Sequence, residues 1–311
     1  MKACFFSLSR RWELCCNILA TRPMEERKTG DNIRTVVKHI LTEFDAYRPN
    51  NFFVTDNGAN IKAAFSEHSW LSCCGHNINL IVSHALDPKH VDAESPFRPV
   101  VDLVATAKDI VTRVKRTQTQ HRLETTLKQV VSTRWNSTLM MLKSIADNLE
   151  SLRTAAAQTN DRTMQKSLLD VNEELLCAII SVLELFDTAT RLVSADKSPT
   201  LHLVVPVHLQ LVKGIQLCGD DVEPVRQLKL RLQQFLDTHF KLHELHCMAV
   251  LFDPRLKNNL SVMSTDARDQ ATNSIKQMES AVSLPDSGGL SDLNFSFPAK
   301  SAYHLTMSNF Y

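Results

Sequence analysis

Apolar residues recur at different periods along the chain, and the change of period divides it. Residues 12–20 form an apolar, cysteine-rich run suited to a strand. After the polar stretch 21–30, Ile33, Val36, Val37, Ile40, Leu41 and Phe44 recur at helical spacing, and Asp31 is placed to cap that helix. Asn51-Phe52-Phe53-Val54-Thr55 reads as a short buried strand that ends at Asp56. A short helix over 61–65, a strand over 70–73 and a helix from 78 to 86 follow. The β-α-β-α-β-α order implies a mixed or parallel sheet with helices on its faces.

From about Pro99 the pattern is helical throughout. Apolar stripes predict helices over 100–114, 138–157, 173–193, 201–217 and 222–242, most clearly over 173–193. There Leu176, Ile179, Ile180, Leu183 and Phe186 share one face. Pro199, Pro206 and Pro224 fall near boundaries or first turns. No fixed-period repeat is present, which argues against a solenoid. Beyond Leu260 the chain is rich in Ser, Asp, Asn and Gln, with Ser287-Gly288-Gly289 in its midst; one helix over 265–282 is expected, and otherwise a flexible tail. Three regions result: 1–92 mixed α/β, 93–260 all-helical, and 261–311 polar.

Composition sharpens this picture. Of 311 residues 43% are hydrophobic and 22% charged, ordinary for a soluble globular chain, and the 7 glycines argue against a turn-rich all-β fold. A net charge of +1 leaves any case for nucleic acid to local charge. The 8 cysteines include the adjacent pairs Cys15–Cys16 and Cys73–Cys74, a spacing suited to reduced thiols and not to a secreted disulfide framework. Neither a signal peptide nor a membrane-spanning segment is expected.

Asp56 draws attention by position. A carboxylate at the C-terminal end of a buried strand sits where α/β sheets place ligands, and hard divalent cations take oxygen donors. The alternative is that Asp56 caps the helix that follows. Cys73 and His76 have the spacing of half a zinc site but no second pair; local packing is the other reading. His239, His243 and His246 would form a one-sided cluster if helical, or else an exposed helix end. Residues 105–135 carry Lys108, Arg113, Lys115, Arg116, Arg122, Lys128 and Arg134 against Asp109 and Glu124, a candidate phosphate-contacting stripe or simply a solvated face.

Several of these segments carry a family resemblance. Phe53-Val54-Thr55-Asp56-Asn57-Gly58-Ala59-Asn60-Ile61 resembles the second catalytic segment of hAT transposases. Its spacing to Cys73-Cys74-Gly75-His76-Asn77-Ile78-Asn79-Leu80 matches that family's Cys-x-x-His segment, and Thr133-Arg134-Trp135-Asn136-Ser137-Thr138 is similar to its Thr-Arg-Trp-Asn-Ser motif. Phe186-Asp187-Thr188-Ala189-Thr190 with Ser198-Pro199-Thr200 resembles a weaker pattern. Val250-Leu251-Phe252-Asp253-Pro254-Arg255-Leu256-Lys257 resembles the Leu-Asp-Pro-Arg-Phe-Lys signature. The five segments stand in family order over roughly residues 12 to 260, and the BED-finger proteins of animal genomes are the subgroup most similar.

The resemblance implies a fold of α/β plus all-α type: a truncated RNase H-like core of mixed sheet and helices, followed by a large helical insertion domain. It makes Asp56 the second carboxylate of an Asp-Asp-Glu triad that holds Mg²⁺ in intact family members. It makes Trp135 a stacking residue on DNA, with anchoring of the insertion as the alternative. Asn60, Cys73, His76, Asp253 and Arg255 become structural motif residues.

The first Asp would lie upstream of this chain and nothing resembling the Glu follows Lys257, so catalysis by this chain alone is not expected and no cofactor is assigned to it. A missing first strand would also leave an unpaired sheet edge beside Val54. The expected role is a nuclear, DNA-associated or interaction module. Its partners would be DNA, through Arg113, Lys115, Arg116, Arg134 and Trp135, or a homologous or full-length chain; a membrane is not among them. A recombinase completed by carboxylates of another chain and a remnant without function are the alternatives.

Overall fold

The computed structural model describes residues 2–8, 14–47, 51–89, 91–131, 134–195, 198–259, 261–281 and 304–307. Strands β1 (Lys2–Leu8) and β2 (Leu14–Thr21) lead to α1 (Gly30–Glu43), β3 (Phe52–Thr55), α2 (Ala59–Ala64), β4 (Ser69–Ser72) and α3 (Cys74–Ala85). Helices alone follow: α4 (Arg98–Arg116), α5 (Asn136–Asp147), α6 (Leu149–Gln158), α7 (Arg162–Leu169), α8 (Glu173–Val193), α9 (Val204–Gly214), α10 (Glu223–His239), α11 (Glu244–Leu251) and α12 (Thr265–Ala281). A last strand, β5 (His304–Met307), ends the described residues. The protein is thus mainly helical with a small mixed sheet, as the change of period implies. No helix among the described residues is long and apolar enough to cross a membrane.

The chain divides into two compact units, one of Met1–Asn77, Leu192–Val207 and Leu242–Tyr311, the other of Ile78–Arg191 and His208–Lys241. The first holds the sheet, in the order β2-β1-β5-β3-β4. β1 is antiparallel to β2 and β5, while β3 runs parallel to β4 and β5. Two expectations are corrected here. Val54 pairs with Leu71 on one side and Thr306 on the other, so its edge is occupied and not open. The polar end of the chain likewise contributes a strand to the sheet, where flexible tail was expected; the stretch 282–303, with Ser287-Gly288-Gly289, lies outside the described residues.

β3 is positioned by its buried face. Phe53 stacks on Phe65 with ring centroids 4.2 Å apart, and both join Ile33, Val37 and Leu41 of α1 and Ile61 of α2 in one core. α1 approaches α2 so closely that a Cβ at Gly30 would stand 2.9 Å from the Ala63 Cβ, which requires glycine there. Arg34 adds a clamp, donating from Nε to the Ala64 carbonyl at 2.9 Å and from Nη2 to the Ala63 carbonyl at 2.8 Å. The cap of α1 is Thr29, whose side chain accepts from Asn32 N. Asp31, expected as cap, lies inside the first turn and pairs with Arg34.

In the second unit the stripes bury as their spacing predicts. α4 buries Val100, Leu103, Ala107, Ile110, Val111 and Val114, and α8 buries Leu176, Ile179, Leu183 and Phe186, while Ile180 of the expected face is half-buried. The helix expected over 138–157 is two helices, α5 and α6, divided at Asn148, and α7 has no counterpart among the expected helices.

Candidate functional site

β3 and β4 are parallel with Thr55 opposite Ser72, so their C-terminal ends lie level and Asp56 follows directly. Neutral hydrogen bonds fix these ends. Thr55 Oγ1 accepts from Trp70 Nε1 at 2.7 Å and donates to the Asp56 carbonyl at 2.9 Å, while Cys73 N donates to the Thr55 carbonyl at 2.7 Å. Asn77, 2% exposed, accepts on Oδ1 from Asn57 Nδ2 and Ser72 Oγ, both at 2.6 Å. Thr55, Asn57 and Asn77 stand within the recognised segments, yet their spacing alone gave them no role. Only the pairing of parallel strands reveals it.

Asp56 is half-buried, and its Oδ1 accepts from Gly58 N at 3.3 Å, closing a tight turn. The residue that caps α2 is Gly58, with no side-chain cap bond. Asp56 therefore shapes the turn before α2 and is not its cap. Asn60 is exposed in the first turn of α2. Among the described residues no three His, Cys, Asp or Glu side chains gather closely enough to hold a metal ion. A two-metal site requires several convergent carboxylates. The described residues do not fit one.

Cys73 and His76 flank the start of α3, both half-buried. Burial and the neighbouring Cys73 push the Cys74 thiol up to about 12. It stays protonated at neutral pH, where a metal ligand or nucleophile must be thiolate. The histidine cluster does not form as a one-sided helical face, because α10 ends at His239 and α11 begins at Glu244. His239 Nε2 lies 3.0 Å from His84 Nδ1, while His243 caps α11 by accepting from Leu245 N and its own N–H donates to His246 Nδ1 at 3.0 Å.

The basic residues are distributed unequally. Arg113 is committed to Asp161 by two bonds of 2.6 Å, and the Asp161 carboxyl is lowered chiefly by that contact. Lys115 donates to Gln129 at 2.8 Å, and Arg116 and Arg134 are exposed. Thr133 lies outside the described residues. Trp135 is 4% exposed and its backbone N–H donates to Asn79 Oδ1 at 3.4 Å. As folded, its ring belongs to the core of the second unit, and stacking on a base would require it to leave that core. The following residue joins two of the recognised segments: Asn136 Nδ2 donates to Asp187 Oδ1 at 2.8 Å, and Arg191 holds the other Asp187 oxygen at 3.1 Å.

Asp253 and Arg255 form a closed turn. Asp253 Oδ1 accepts from Arg255 N at 2.9 Å and Nε at 3.0 Å, and Oδ2 accepts from Nη2 at 2.8 Å. These bonds, with His202 beside them, hold the buried Asp253 carboxyl at about 2. This part of the segment is structural in its geometry, with Phe252 exposed next to it.

Against known proteins, residues 71–181 match the family model described as the ZBED1 RNase-like helical domain. The chain is 29% identical to the transposable element Hobo transposase of Drosophila melanogaster over 76% of its own length and 34% of that protein's. It is 25% identical to zinc finger protein 618 of Mus musculus over 77% of itself and 25% of the relative. With zinc finger BED domain-containing protein 4 of Homo sapiens it shares 26% identity over 67% of itself and 18% of the relative. It therefore spans about a third or less of the length of each.

Proposed function

The chain is a homologue of hAT-derived BED-type proteins, and on that premise we propose that it serves as a nuclear module of transposase origin that associates with DNA or with a further protein chain and does not itself complete a catalytic centre. The parallel pair β3–β4 with its helices suits a part of an RNase H-like core, and the helices from α4 onward suit its insertion. The observation that carries the reading is the end of β3. Asp56 stands where such a core presents a metal-binding carboxylate, but no three metal-ligating side chains converge among the described residues. One carboxylate provides too few oxygens to hold two divalent cations in place. The Asp56 side chain is also engaged in its own turn with Gly58.

The test is strand cleavage of hairpin and nicked DNA with Mg²⁺ or Mn²⁺, alongside Asp56→Ala. No metal-dependent product is expected from either protein. Cleavage that disappears in Asp56→Ala would overturn the reading and make this chain one part of a composite site, with the remaining carboxylates supplied from another chain.

A further inference from the structure

We propose that the cleft between the end of α4 and the start of α7, all within the second unit, is a seat for the phosphodiester backbone of DNA. The proposal rests on the DNA-associated reading above and gives it a location that the linear charge pattern does not. The cleft is open to solvent and offers about 510 Å³. Its walls are Thr117, Thr119, His121 and Arg122 on one side and Thr159, Asn160, Arg162 and Thr163 on the other, with the Arg113–Asp161 pair between them.

Three features favour a phosphate chain. First, the charge is unbalanced. Asp161 is the one acid of the lining, and it is spent on both Arg113 bonds and on the Met164 N–H that it caps. Arg122 gives one N–H to Gln158 Oε1 at 3.2 Å and keeps its remaining donors, and Arg162 is exposed. Two guanidinium groups thus face a cleft whose acid is already neutralised. Guanidinium matches phosphate oxygens in a planar, bidentate way.

Second, the rest of the lining is small and hydroxyl-rich. Of the four threonines, Thr117 and Thr159 already donate to the Arg113 and Ala155 carbonyls and Thr119 pairs with Thr117, so Thr163 and the Asn160 amide are the neutral donors left for sugar and phosphate oxygens. His121 Nδ1 donates to the Gln118 carbonyl at 2.8 Å, which ties the turn on that wall in place. Third, cationic residues continue outward: Lys115 and Arg116 close the last turn of α4, and exposed Lys166 lies one turn beyond Arg162 on α7. A single small anion would need only the cleft, whereas an extended polyanion uses the flanks too. In this arrangement Arg113 is a positioning residue: it holds the α7 cap against α4 and so sets the cleft width.

The test is fluorescence anisotropy of a labelled DNA duplex with the full chain across a salt series. Wild type is compared with Arg122→Glu/Arg162→Glu, with the milder Arg122→Gln/Arg162→Gln, and with Lys213→Glu on α9, outside the cleft. Thermal unfolding confirms that each variant is folded. The expected result is salt-dependent binding by wild type and by Lys213→Glu. The Glu pair should weaken binding at least ~10-fold and reduce the slope of log affinity against log salt by about two, with the Gln pair between. DNA binding by wild type that both cleft pairs leave unchanged in affinity and slope would overturn the cleft while the DNA-associated reading stands. A wild-type chain that binds no duplex at any salt would remove that reading and the occupant together.

Discussion

Two titrating side chains of the first unit place separate marks on its acid stability. His246 is 3% exposed, and burial together with His243 pulls its pKa down to about 4. Its Nδ1 accepts the His243 N–H, which requires the neutral ring. The unfolded chain takes up this proton near pH 6.5 and the folded one resists until about 4, so stability is full above 6.5 and falls through that window by up to ~3 kcal/mol. Asp253 acts lower. Its folded value of about 2 lies below the ordinary 3.8, so its contribution is present above pH 4 and is lost as pH falls towards 2. Thermal unfolding from pH 7 to 2 should resolve both losses, and Asp253→Asn should flatten only the lower one. A third prediction concerns Lys229, whose side chain is 8% exposed and whose Nζ meets both Asp221 oxygens at 2.7 Å. Asp221→Asn removes the counter-charge and leaves that ammonium the Gln216 carbonyl at 3.2 Å, which should cost ~3 kcal/mol in chemical denaturation, whereas replacing both residues by apolar ones of similar volume should cost far less.

At the scale of elements, the junction of α5 and α6 explains where periodicity misleads. Leu139, Leu142, Ile145, Leu149 and Leu152 keep a helical stripe across residue 148, so nothing apolar marks a break. The break is made by polar bonding. Asn148, 1% exposed, accepts from Thr125 N at 3.0 Å and donates to Thr125 Oγ1 at 2.6 Å and the Ser144 carbonyl at 2.7 Å. Its partner Thr125 lies in a distant loop and cannot be seen from local spacing. Asn148→Ala should leave buried groups unpaired and cost ~2–4 kcal/mol, measured by denaturant unfolding. Asn148→Asp should not restore the loss, because the Nδ2 donors are gone. The end of α10 has the same character: Phe240 is buried and continues the stripe past the last helical turn, which is why the histidines read as one face. α7 buries only Met164 and Leu168, too few positions to establish a period.

For the whole molecule, the order of strands and helices from β2 to α3 and the all-helical character from α4 to α10 were legible, because burial of one face imposes a period on each element, whereas β1 has no place in the expected order. The sheet topology was not legible. β5 enters between β1 and β3 from the far end of the sequence, through a four-residue strand too short to establish a period. The candidate site was legible in part for a related reason. Asp56 is marked by the strand that precedes it, whereas the cleft of Arg122 and Arg162 depends on two turns brought together by helix packing. The proposed role depends on Asp56 having too few companions to hold a metal pair, and Mn²⁺ binding followed by electron paramagnetic resonance tests this most directly. The account predicts weak, uncoupled binding that Asp56→Ala leaves unchanged. Two tightly bound, spin-coupled Mn²⁺ ions per chain, lost in Asp56→Ala, would contradict it.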